Sequence, residues 1–125
     1  MRLFLDASVV LAACGRPAGG SHAVFDLAGA QGWRLLRSAL AVVTDELTHP
    51  WPVVFPAAKD RPVLFTAAAV ADVLLTLDRA DFGGVMAAGF YGLPVMKPGD
   101  FFAARACGRT ARYLKKGPVA GNVEC

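Results

Sequence analysis

The sequence predicts an α/β domain of three layers, with helices on both faces of a mainly parallel central sheet. Two observations carry this. Short apolar runs of strand length alternate with longer runs of helical character, the pattern of strand–helix–strand crossovers. The chain has 125 residues, 55% of them hydrophobic and 18% charged, which suits one compact domain with a single core rather than a disordered chain.

The elements follow in order. "RLFL" (2–5) reads as a buried strand, and "ASVVLAA" as a helix ended by Gly15. "RPAGG" (16–20) is a loop, after which Ser21 is expected to cap a helix to about Ala30. Residues 33–47 suit either strand or helix. "THPWPVVFPAAK" carries three prolines and reads as extended. "DRPVLFTAAAV" is a helix with Asp60 as N-cap and Pro62 tolerated in the first turn. "VLLT" (73–76) and "PVM" (94–96) are strands. "KPGD" is a turn, and Asp100 is expected to cap a last helix reaching about Lys116.

The parallel order places acidic residues together. Asp6 follows the first strand, and Asp78 lies two residues past "VLLT". Asp60 starts the helix that feeds "VLLT", and crossover helices begin on the rim where the strands end. Asp6, Asp60 and Asp78 are therefore expected on one edge, the edge where open α/β sheets bind ligands. Asp81 joins them on the loop after Asp78. Clustered carboxylates repel, and a hard cation such as Mg²⁺ or Mn²⁺ relieves the repulsion. Each acid also has a purely structural reading: a polar strand end for Asp6, a helix cap for Asp60, a turn residue for Asp78 and a cap for Asp81.

These residues resemble the PIN-domain family of metal-dependent nucleases, which includes VapC-type toxins of toxin–antitoxin pairs. The resemblance rests on "LFLDASVVLAA", "KDRPVLFTAAAVADVLLTLDRADFG" and "YGLPVMKPGDFF", and so covers both ends of the chain. It implies that Asp6, Asp60 and Asp78 are catalytic metal ligands, that Asp81 is an accessory ligand, and that Ser8 is a hydroxyl near the metal. It implies hydrolysis of RNA phosphodiester bonds assisted by Mg²⁺ or Mn²⁺. An antitoxin protein and a homodimer are the partners it suggests.

The middle of the chain departs from the family, because Trp33 to Asp60 is too short for a strand, two helices and their loops. In one alignment Glu46, or Asp45, is the family's second acid on a truncated helix. In the other, which fits the text better, that helix is absent and the fold lacks part of its central helical region. A non-catalytic PIN-like scaffold or binding protein is therefore the alternative function.

Further along, Arg105, Arg109, Arg112 and Lys116 recur at helical spacing, a basic stripe that could follow a nucleic-acid backbone or simply be a solvated face. The formal charge of +3 adds little by itself. Trp33 and Trp51 read as core or interface residues, and His22 and His49 lie in poor context for catalysis. Three scattered cysteines, Cys14, Cys107 and Cys125, suggest a reducing cytoplasm and thiols without a framework role. "VLAAC" looks like a lipoprotein cleavage site, but Asp6 interrupts the segment before it. Asp72 breaks the longest apolar stretch, so no membrane association is expected. Haloacid-dehalogenase and response-regulator folds also place an aspartate after the first strand, yet "LFLDASVV" lacks their neighbouring acid and only Lys97 stands near their late lysine. No glycine-rich turn supports a dinucleotide fold.

Overall fold

A computed structural model describes residues 1–37 and 60–108. The described residues form an α/β fold around a four-stranded, all-parallel sheet. Its strands are β1 (Arg2–Leu5), β2 (Arg34–Leu36), β3 (Val73–Leu75) and β4 (Val95–Met96), in spatial order β2-β1-β3-β4. Five helices accompany them: α1 (Ala7–Gly15), α2 (Gly20–Gln31), α3 (Arg61–Val70), α4 (Arg79–Ala88) and α5 (Pro98–Ala106).

The period-2 alternation of the strands divides the apolar residues between two faces. Leu3, Leu5, Val73 and Leu75 pack with Val9 of α1, Val24 and Ala28 of α2, Trp33, and Phe101 of α5. Phe4, Leu74 and Val95 pack with Leu64 and Ala67 of α3 and with Phe82 and Val85 of α4. Strands covered on both faces read as continuous apolar runs, which is why "RLFL" and "VLL" show no polar alternation.

The connections set the position of the site. From β1 the chain passes through α1 and α2 to β2 on one side, and later returns through α3 to β3 on the other side of β1. Helices on either side of this reversal pack on opposite faces, and the switch point falls at the carboxyl ends of β1 and β3, the place where open α/β sheets bind ligands.

Several expectations need correction. Helix α2 begins at Gly20 with Gly19 as its N-cap, so Ser21 lies inside the first turn and is not the cap. Lys97, not Asp100, is the N-cap of α5, and Asp100 sits in its first turn. Asp81, expected on a loop after Asp78, lies in the first turn of helix α4 ("RADFGGVMAA"). Cys107 is disulfide-bonded, which corrects the expectation of thiols without a framework role and the reducing compartment inferred from it; Cys14 is free and exposed, and Cys125 lies outside the described residues. The expected extension of α5 to Lys116 and the alternatives for residues 38–59 lie outside the described residues. No helix among the described residues is long and apolar enough to cross a membrane.

Candidate metal centre

Each acid of the rim owes its place to a strand end or a helix start. Asp6 follows β1, where its N–H donates to Leu75 O (3.0 Å), and it occupies the N-cap position of α1. Asp60 is the N-cap residue of α3, and Asp78 is the N-cap residue of α4. Three helix N-termini therefore face this rim, and their positive ends offset part of the repulsion between the carboxylates.

The cap reading and the ligand reading separate here. Asp78 is a true cap, its Oδ1 accepting the Asp81 N–H at 3.1 Å. Neither Asp6 nor Asp60 closes its helix with a side-chain cap bond. Capping by Asp78 also brings the first turn of α4 inward, and with it Asp81.

Asp60, Asp78 and Asp81 converge: each offers a carboxylate oxygen, and the three oxygens lie within 4.8 Å of one another. All three residues are half-buried. Asp60 Oδ2 is shielded from solvent. The donor set is oxygen only, and three carboxylates at this spacing suit a hard divalent cation better than a soft one.

Asp6 stands outside this group and is held separately. Ser8 Oγ donates to Asp6 Oδ2 at 2.7 Å, and Thr76 Oγ1 donates to the same oxygen at 3.0 Å. Each hydroxyl also accepts a backbone N–H, Ser8 from Leu77 (3.0 Å) and Thr76 from Asp78 (3.1 Å). A hydroxyl has one proton, so an accepted N–H leaves that proton for Asp6. Thr76, fully buried, thus links the end of β1 to the residue that caps α4. Ser8, expected as a hydroxyl near the metal, is bonded to Asp6. Thr76 was not expected there, although a hydroxyl ending an apolar strand just before an acid was its signal. Likewise "DRAD" is an acid–x–x–acid helix start, a signal for α4 that the following glycine pair obscured.

The other candidates lie elsewhere. The Arg105 guanidinium sits 4.8 Å from the centre of the Trp33 ring and donates to Gln31 Oε1 at 3.2 Å. It ties α5 to the end of α2 and is thereby occupied structurally. Trp33 is buried and stacks edge-on against Phe101, as a core residue should. His22 pairs with Asp26 along α2. Glu46, Asp45, His49, Trp51, Arg109, Arg112 and Lys116 lie outside the described residues.

The chain matches no protein-family model, no curated protein and no solved structure.

Proposed function

We propose that this chain is a PIN-type endoribonuclease dependent on Mg²⁺ or Mn²⁺, with a three-layer PIN-like architecture. The observation that carries the reading is the meeting of Asp60, Asp78 and Asp81 beside the sheet's switch point, within 4.8 Å. Asp6 lies at the carboxyl end of the adjoining strand.

Asp60, Asp78 and Asp81 are the residues that would hold the cation. A divalent ion bound there supplies Lewis acidity toward a phosphodiester and its attacking water. The chain's own work is positional. The N-cap bond from Asp81 N–H fixes the Asp78 carboxylate. Ser8 and Thr76 fix the orientation of Asp6 at the end of the adjoining strand. The narrower reading, a toxin with an antitoxin partner acting as a homodimer, draws on the sequence resemblance alone.

The test combines binding and turnover. Mn²⁺ is expected to raise the melting temperature of the parent protein, since a ligand that binds only the folded state stabilises it. The parent is expected to cleave structured RNA with Mn²⁺. Asp78→Asn should lower that rate by about 100-fold or more, at least the loss seen when a supporting group is removed from a metal site. Equal cleavage by both proteins would overturn the role of Asp78. Mn²⁺ binding without cleavage by the parent would favour the non-catalytic scaffold.

A further inference from the structure

We infer that Arg37, Arg79 and Lys97, with Arg16 beside them, are positioning residues that hold a nucleic-acid backbone across the ends of the four strands, on a path running from β2 to β4. The path rests on the nuclease reading for the acids it crosses, and on the arrangement of cations for its direction.

All four strands are parallel, so the residues that follow them share one rim. Arg37 follows β2 and Asp6 follows β1. Thr76 follows β3 and leads to Asp78 and Arg79, and Lys97 follows β4. In the spatial order β2-β1-β3-β4 the rim therefore reads Arg37, then Asp6, then Asp78 with Arg79, then Lys97. Cations stand at both ends, and acids lie between them. Neighbouring strands are about 4.8 Å apart, which sets β2 and β4 about 14 Å apart along the rim. Arg16 reaches the same rim, because it borders a cavity together with Leu77, just past β3, and with Pro98 and Gly99, just past β4.

These cations are not consumed by the fold. Arg16, Arg37 and Arg79 are exposed, and none has an ion-pair partner among the described residues. Arg79 directly follows Asp78, yet it pairs with none of the acids at the rim, which leaves its guanidinium for a phosphate. Lys97 Nζ lies 3.7 Å from Asp100, whose side chain is 62% exposed, and so weak a pair yields readily to a stronger anion. On the opposite rim the Arg2 guanidinium is committed to Asp72. A lone phosphate needs only one or two cations. Cations on both outer strands, with acids between them, suit an anion of repeated charge that spans the rim and lays one phosphate over Asp60, Asp78 and Asp81. Backbone contacts of this kind set position and carry no base preference.

The experiment follows the fluorescence anisotropy of a labelled single-stranded RNA of about twelve nucleotides, titrated with the full chain in EDTA so that no divalent cation supports cleavage. Saturable binding is expected, with Kd on the order of 10 μM at about 100 mM salt. The slope of log K against log salt should be about −2 to −3, since each phosphate neutralised on a single strand contributes about −0.7. Arg37→Gln and Arg79→Gln should each weaken binding about tenfold, the loss of one charge-assisted hydrogen bond. Each should also reduce the slope by about 0.7, whatever the base sequence. Arg34→Gln is the control: it removes the same charge from an exposed side chain at the start of β2, on the opposite rim, and should change neither quantity. No binding up to about 100 μM, the weak end of non-specific association, would overturn the path. So would a loss in Arg34→Gln equal to that in Arg37→Gln and Arg79→Gln. Binding that these two variants weaken, without cleavage once Mn²⁺ is added, would keep the path and overturn the nuclease reading instead.

Discussion

Thr76 has one hydroxyl that does two things at the end of β3. It donates to Asp6 and accepts from Asp78 N–H, in a position with no solvent access. Thr76→Val keeps the shape but removes both bonds, leaving the Asp78 N–H without that acceptor and Asp6 Oδ2 with Ser8 as its remaining donor. The expected cost is about 1–3 kcal/mol, the penalty for a buried polar group deprived of its partner. Urea unfolding followed by circular dichroism reads this as a lower midpoint with an unchanged slope. Ser8→Ala should cost less, because Ser8 is only half-buried and water can replace its bond to Leu77 N–H. A Thr76→Val protein as stable as the parent would mean that the hydroxyl link is not structurally important.

Helix α4 shows how an element can escape the sequence. Phe82 and Val85, three residues apart, are its buried face, and Asp78 closes its start. Between them stand Gly83 and Gly84, which lower helix propensity and look like a turn. Tertiary packing of Phe82 and Val85 against Phe4, Leu64 and Leu74 overrides that local preference. Neither glycine is required sterically, since a Cβ at either would meet nothing within 4 Å. Gly84→Ala should therefore stabilise the protein by about 0.5–1 kcal/mol, measurable as a rise in melting temperature. A fall would mean that α4 needs the glycine for a reason other than space. The same contrast explains what else was legible. β1, α1, α3 and β3 follow from long apolar runs with clear bounds, and their order placed Asp60 and Asp78 on one rim. The starts of α2 and α5 were misread because Ser21 and Asp100 are good capping residues by type. The backbone turns helical one or more residues earlier, at Gly20 and Pro98. Asp6 was expected among the ligands. Its neighbour in the sheet, Thr76, binds its Oδ2, and such a pairing of residues seventy apart leaves no local mark in the sequence.

Across the whole molecule the two rims of the sheet hold their acids differently. The carboxyl rim gathers Asp60, Asp78 and Asp81 and holds Asp6 by two hydroxyls, whereas the amino rim binds one acid to one base. There Asp72 Oδ2 accepts the Arg2 N–H at 2.6 Å, Oδ1 accepts the guanidinium at 3.2 Å, and Asp72 N–H donates to Arg2 O at 2.8 Å. This joins the entrances of β1 and β3. Burial alone would raise the Asp72 carboxyl. The Arg2 backbone bond, the Arg2 side-chain bond, the Arg2 charge and the N-terminal amine together outweigh it and hold the group below its ordinary 3.8. A carboxyl lowered in the folded state stabilises the fold above its unfolded value and loses that contribution as pH falls through the folded value. Asp72→Asn should therefore be less stable than the parent at pH 7. The half-exposed Arg2 side chain and solvent screening limit the difference to about 0.5–1 kcal/mol. The difference should persist down to pH 3.8 and close below it. Comparing the two proteins, rather than following the parent alone, cancels the contribution of the acids on the opposite rim. A gap that widened on acidification would mean that Asp72 is not held ionised by Arg2.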